Sequence, residues 1–382
     1  MQMRKFGKID FQPSLLGFGC MRLPVTGPDK AIDETEAIRM IRYAIDNGVN
    51  YVDTAYNYHN SQSEIVLGKA LQDGYREKVK LATKNPSFKL TQTHEWLEFL
   101  DEQLAKLQTD HIDFYLQHGL NAERFESFKK LNAFDESKKA KAMGKIKYYG
   151  FSFHDKLEVF KEIVDAYPWD FCQIQLNYLD TDFQAGLEGL HYAASKGLAI
   201  VVMEPLRGGR LAAHLPADIQ AMFDAYPVKK TPAEWALDWV ANQPEVALLL
   251  SGMSTMEQVK DNLRICSTDA SRVGGMKPEE MQFLQKVASA WKAKVRVGCT
   301  ACQYCMPCPQ GINIPRLFSL YNNAAMFDSW DAATAFYQDA IEHGIDVSHC
   351  VQCGACVSAC PQQVSVIEKL QELHRIFTKA KQ

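Results

Sequence analysis

Eight of the chain's eleven cysteines fall between residues 299 and 360, in two runs. The second run is Cys350, Cys353, Cys356 and Cys360, followed by Pro361. Its spacing, C-x2-C-x2-C-x3-C-P, is one that holds a [4Fe–4S] cluster. The first run, Cys299, Cys302, Cys305 and Cys308 with Pro309, repeats it with a last gap of two. Three thiolates at x2 spacing hold three irons of one cubane, and the fourth, before proline, serves the other cluster in two-cluster proteins. That crossing groups Cys299, Cys302, Cys305 and Cys360, and separately Cys350, Cys353, Cys356 and Cys308. Structural zinc uses paired C-x2-4-C units and does not need three thiols at strict spacing. Disulfides need an oxidising compartment. The shortened gap keeps a single cluster open as an alternative to two. Cys20, Cys172 and Cys266 read as small buried apolar side chains.

A second constellation lies upstream. Asp53 and Tyr58 stand in "VDTAYNY", Lys84 in "LATK" and His118 in "YLQHG". A free phenol titrates near pH ~10, too high for easy proton transfer at neutrality. A neighbouring ammonium favours the phenolate and is expected to lower that value. A carboxylate keeps the lysine charged and in place, and a histidine orients a carbonyl oxygen. Together they make a general acid for reducing a C=O and the matching base for oxidising an alcohol. Taken one at a time, the same residues also fit an ordinary ion pair and a rim histidine.

These residues need a scaffold that brings four separate segments together. Short apolar runs recur through the first 270 residues: "SLLGFGC", "VNYVD", "VKLATK", "IDFYLQH", "IKYYGFS", "FCQIQLN", "LAIVVME" and "VALLLSG". Segments of helical period lie between them, such as "ETEAIRMIRYAIDNG", stopped by Asn47-Gly48. Runs apolar on both faces, alternating with helices, predict parallel strands. Eight such units in about 270 residues predict an α/β fold, a (β/α)8 TIM barrel with its chemistry at the C-terminal strand ends. A doubly wound sheet fits less well, because "GFGCMRLP" runs into a proline where a phosphate-binding turn needs a helix. The cysteine density changes within residues 270–297. This predicts a barrel over 1–270 and a smaller C-terminal domain over 271–382, α-helical because "IPRLFSLYNNAAMF" and "SWDAATAFYQDAIEHG" separate the two runs.

Composition narrows the partners. Net charge is −4 with no basic stripe, which argues against nucleic acid. No apolar run is long enough for a bilayer, and "MQMRKFGKID" lacks the apolar core of a secretory signal. The expectation is a cytoplasmic protein with no membrane partner.

"VDTAYNY", "ATK" and "LQHG", in that order, resemble the aldo-keto reductases over roughly residues 1–270, and the C-terminal part resembles helical dicluster ferredoxin-like domains. The resemblance implies a catalytic tetrad of Asp53, Tyr58, Lys84 and His118, with Tyr58 the proton donor, and a nicotinamide dinucleotide cofactor, NADP or NAD. It places Ser152 of "GFSFH" and Gln173 of "QIQLN" at the carboxamide. Met203 would take the place of a stacking tyrosine, with a softer thioether contact. In "MEPLRGG", Pro205, Leu206 and Gly208 would line the pyrophosphate. Ser254, Gln258 and Asn262 of "SGMSTMEQVKDN" would lie at the adenosine end. Gly252 and Gln258 stand where NADP-preferring members carry cations, which keeps NAD open. Tyr56, Phe88 and Phe153 are pocket candidates, and "GLNAERFESF" would cover part of that pocket. The implied activity is oxidoreduction of a small carbonyl or alcohol, with clusters exchanging electrons with the site or a redox protein partner. The alternatives are purely structural clusters, or an electron-transfer protein using the barrel as a docking scaffold.

Overall fold

The computed structural model describes residues 1–379. Eight strands close a wholly parallel barrel. They are β1 (Leu16–Gly19), β2 (Tyr51–Asp53), β3 (Lys80–Asn85), β4 (Ile112–Leu120), β5 (Ile146–Phe153), β6 (Phe171–Gln175), β7 (Ala199–Met203) and β8 (Val246–Gly252). Each coincides with one of the eight apolar runs, and the helix-rich connections alternate with them. A two-stranded hairpin, Val25–Thr26 with Ala31–Ile32, stands apart from the barrel.

Local chemistry sets the helix limits. Asp33 caps Glu34–Asp46, its side chain accepting the Glu36 N–H, and Gly48 at φ +97 follows its end. The buried face, Ala37, Met40, Ile41, Ala44 and Ile45, keeps the three-and-four spacing of a helix lying on a sheet.

The barrel interior is filled from below. Tyr51, Ala82, Phe114, Leu116, Phe171, Ala199, Val201, Leu248 and Leu250 form one buried cluster, and Phe6 of the N-terminal segment joins it. The Phe6 ring lies 4.7 Å from that of Phe114, which stands 5.3 Å from Phe171. Strand side chains alternate with period two. Each interior residue therefore points its second neighbour along the strand into the same axis, one layer higher. Tyr51 thus predicts Asp53, Ala82 predicts Lys84, Leu116 predicts His118, Phe171 predicts Gln173, and Val201 predicts Met203.

The chain divides into two compact units, residues 1–212 with 230–282, and residues 213–229 with 283–382. The cysteine break at 270–297 coincides with the helix Pro278–Ala293, whose first residues fall in the first unit and the rest in the second. Segment 213–229, read from sequence as part of the barrel, groups with the second unit. That unit packs the helices Ile314–Phe327, Trp330–Glu342 and Val366–Lys379 around Leu317, Phe318, Tyr321, Tyr337, Leu370, Leu373 and Phe377. Both segments expected to be helical are helical. Among the described residues, no helix is long and apolar enough to cross a membrane.

Candidate active site and cysteine-lined cavities

The strand alternation brings Asp53, Lys84 and His118 to one rim, at the C-terminal ends of β2, β3 and β4. Asp53 and Lys84 are 3% and 1% exposed, so their charges must pair. Lys84 Nζ donates to Asp53 Oδ1 at 2.6 Å and to the Thr54 carbonyl at 2.7 Å. The second Asp53 oxygen, Oδ2, accepts from Gln173 Nε2 at 3.3 Å. Burial pushes the Asp53 carboxyl above its usual range, and Lys84 and Gln173 draw it back. For Lys84, burial works against the charge but Asp53 and Tyr58 outweigh it, and the ammonium is held above its ordinary value.

Tyr58 stands in the loop after β2, its N–H donating to the Ala55 carbonyl. The next three residues, His59, Asn60 and Ser61, all have positive φ, of 49, 53 and 66°. Such left-handed positions cost about 1–3 kcal/mol each away from glycine, so surrounding bonds must impose them. One is His59 Nε2, which accepts the Leu23 N–H at 3.1 Å. Lys84 Nζ lies 5.0 Å from the Tyr58 ring centre. Burial raises the Tyr58 phenol above its ordinary value, while Lys84 pulls the other way. This corrects the expectation from sequence, which counted the ammonium but not the burial.

The His118 ring meets the Tyr58 ring edge-on at 6.0 Å. Burial first, then Lys84, His154 and Arg124, hold this imidazole well below its ordinary pKa, hence neutral. Its Nδ1 is buried and has no protein partner. A neutral ring beside a phenol offers one N–H donor to a substrate oxygen.

The expected cofactor contacts divide. Ser152 Oγ accepts the Gly119 N–H at 2.7 Å, which leaves its own hydroxyl proton to donate. Gln173 is already turned to Asp53. Met203 ends β7, and the loop beyond it holds Pro205, Leu206 and Gly208. Its left-handed positions are Glu204, Arg207, Gly208 and Gly209. Gly208, at φ +66, holds a backbone conformation that strains other residues, and a Cβ there would stand 2.7 Å from the movable tip of Arg22, Nη2. Arg22 pairs with Glu204 at 3.5 Å. Ser254 Oγ donates to the Arg22 carbonyl at 2.8 Å, Gln258 Oε1 accepts the Ser254 N–H at 2.8 Å, and Asn262 Nδ2 donates to Ser251 Oγ at 2.7 Å. An orphaned buried imidazole nitrogen, a free serine proton and a glycine cradle beside an arginine fit a nicotinamide dinucleotide. Gly252 and Gln258 carry no charge themselves, but the Arg22 side chain lies against Gly252, its Cβ and Cγ 3.1 Å from where a Cβ would stand.

Of the aromatic candidates, only Phe88 reaches the rim, 6.1 Å from the His118 ring and 42% exposed. Phe153 is fully buried against Phe160. Tyr56 turns away to Glu102 on the helix Glu95–Leu107. Sequence reasoning missed Thr54, whose carbonyl orients Lys84, and the Arg22–Glu204 pair. Both depend on loop backbone, and only the position of Arg22 just beyond β1 hinted at a rim role.

In the second unit all eight clustered cysteines are free thiols, and six of them, Cys299, Cys305, Cys308, Cys350, Cys356 and Cys360, pack at the edge of the helical core. Cys299, Cys302, Cys305 and Cys360 line one cavity, of about 20 Å³. Cys308, Cys350, Cys353 and Cys356 line another, of about 180 Å³, which Cys305 also borders. Cys360 and Cys308, the two cysteines before proline, each face the other run's triplet. Four thiols around the larger cavity, rather than converging on one point, fit a cubane, whereas the smaller cavity is tight for one.

Residues 15–273 match the family model described as Aldo/keto reductase family, and residues 298–365 that described as 4Fe-4S dicluster domain. Probable aldo-keto reductase 1 of Glycine max is 28% identical over 297 residues, covering 69% of this chain and 84% of the relative. The uncharacterised oxidoreductase YqkF of Bacillus subtilis is 26% identical over 314 residues, covering 75% and 96%. Among solved structures, the holo form of aldo-keto reductase AKR11C1 from Bacillus halodurans superposes with a TM-score of 0.63 at 29% identity, covering 75% of this chain and 96% of that one. Two thirds of the chain thus share their pattern with one group of oxidoreductases: the protein belongs to the aldo/keto reductase family and carries a C-terminal 4Fe-4S dicluster domain.

Proposed function

We propose that the barrel over residues 1–270 reduces a small carbonyl compound, or oxidises the matching alcohol, with NADH or NADPH. The observation that carries this is the buried Asp53–Lys84 pair beneath Tyr58, beside a neutral His118. Bound nicotinamide dinucleotide supplies the hydride, an electron pair with one proton, to the carbonyl carbon. Tyr58 gives its phenolic proton to the carbonyl oxygen, and solvent restores it. His118 directs that oxygen through its N–H. Lys84, held by Asp53, stabilises the phenolate left behind. Ser152 would offer its hydroxyl proton to the carboxamide, the Met203 thioether would flank the ring, and the loop holding Pro205, Leu206 and Gly208 would hold the phosphates. Ser254, Gln258 and Asn262 would hold the adenosine end.

The domain over 271–382 would hold two [4Fe–4S] clusters through the crossed cysteine sets. Clusters so held would supply one-electron transfer, to the barrel or to a redox protein partner. A single cluster is the second reading, favoured by the tighter first cavity and the shortened gap before Cys308. An anaerobic titration with NADH and then NADPH, followed by EPR, tests the redox role. Reduction of the clusters by either cofactor supports shared electrons and identifies the preferred nicotinamide. Reduction by dithionite alone leaves the clusters structural or served by a separate partner.

A further inference from the structure

The loop after His118 leads into the helix Ala122–Lys130. Arg124 sits in its first turn, where Asn121 Oδ1 accepts its backbone N–H at 2.8 Å. Its side chain turns back toward the rim. Nη1 donates to the Gly119 carbonyl at 2.8 Å, and the guanidinium carbon lies 5.9 Å from the Phe88 ring centre. Phe88 in turn faces His118, and His118 faces Tyr58. A Cβ placed on Gly119 would stand 2.8 Å from Arg124 Nη1 and 3.9 Å from His154 Cδ2. Guanidinium and second imidazole therefore flank the residue that follows His118.

Arg124 forms no ion pair among the described residues. Asp155, the acid beside this turn, accepts the Ala122 N–H at 2.8 Å instead. A guanidinium has five N–H donors in a planar fork, and one is used here. The rest of the fork is a bidentate partner for an oxyanion. Asp53 is committed to Lys84 and Gln173, and Glu204 to Arg22, so the carboxylates of this rim are already engaged.

We propose that Arg124 selects the substrate, binding a carboxylate or phosphate group carried by the carbonyl compound reduced at Tyr58. The inference rests on the carbonyl-reducing role given above. Phe88 then stacks beside the body of the substrate, between the anionic end and the reacting carbonyl.

The test compares benzaldehyde, 4-carboxybenzaldehyde and 4-formylphenyl phosphate as substrates of the intact protein, with whichever nicotinamide it uses. The expected result is a KM for one or both anionic aldehydes about 10- to 100-fold below that for benzaldehyde, the scale of a charge-assisted contact. Which anion gains the advantage distinguishes carboxylate from phosphate. In Arg124→Gln the preference collapses to about unity through KM rather than kcat, and Arg124→Lys, which keeps the charge, retains most of it. Benzoate or phenyl phosphate should compete in the native protein and lose that competition in Arg124→Gln. Equal KM values for neutral and anionic aldehydes overturn the proposal, as does a preference that survives Arg124→Gln. Lysine and glutamine variants that behave alike overturn it too, since the effect is then one of shape. If the native protein reduces none of the three, the carbonyl-reducing role itself fails.

Discussion

Lys84 Nζ lies 2.6 Å from Asp53 Oδ1, with both side chains almost wholly removed from solvent. Removing one member of such a pair strands the other charge, at about 3–5 kcal/mol. Lys84→Met and Asp53→Asn are each expected to lower stability on that scale. The double variant should lose clearly less than the sum, because neither charge is then left alone. Chemical denaturation of the three variants measures the coupling. Strict additivity would show that the pair does not act as a unit.

Tyr58 gives a pH prediction of definite sign. Burial holds its phenol above the ordinary value, so the proton-donating form persists through neutral and mildly alkaline pH. Carbonyl reduction should stay flat there and fall only beyond pH ~10, where a free phenol ionises. Alcohol oxidation needs the ionised form and should rise with pH throughout. A kcat/KM profile with its alkaline limb well below pH ~10 would contradict this account.

A second buried carboxylate concerns stability rather than chemistry. Asp113, 1% exposed near the start of β4, meets Arg76 at 2.8 Å, Lys147 at 3.0 Å and the Leu81 N–H at 3.1 Å. Burial raises its pKa, but Arg76 and these partners prevail and the net shift is downward. A depressed carboxyl adds stability that is complete above its unfolded value near pH ~3.9 and fades as pH falls through the folded value. Asp113→Asn should cost about 2 kcal/mol at pH 7, and the gap from the native protein should close below pH ~4. Melting curves at both pH values decide it. A gap independent of pH points to packing instead of charge.

The crossed cysteine sets predict an unequal outcome for two double variants. Cys308→Ser with Cys350→Ser strips ligands from one cluster only, leaving about four of eight irons per chain. Cys308→Ser with Cys302→Ser strips one ligand from each and should leave few. Iron and sulfide assays read the difference directly. The reverse pattern would mean that each run holds its own cluster.

The core of a β2 residue such as Tyr51 and the chemistry of Asp53 are written in the same period-two alternation, which is why barrel and rim could be read together. The gathering of the cysteines around two cavities was legible for a similar reason, since strict spacing keeps each triplet together. Other features were not. The rise in the Tyr58 pKa follows from the water that the surrounding residues keep from the half-buried side chain, which a motif does not record. Phe88 and Phe153 look alike in sequence, yet one lines the rim and the other packs on Phe160. Arg22 meets Glu204, and Arg124 turns back on Gly119, only because loops fold in particular ways. Segment 213–229 groups with the second unit through long-range contacts that no local pattern announces.

The central claim is that hydride passes directly to a carbonyl carbon whose oxygen Tyr58 protonates. The most direct measurement uses NADH or NADPH deuterated at the transferring position, an aldehyde substrate, and mass spectrometry of the alcohol. The account predicts one deuterium at the carbinol carbon for the native protein and loss of turnover in Tyr58→Phe. Alcohol formed without deuterium, or undiminished turnover in Tyr58→Phe, would contradict it.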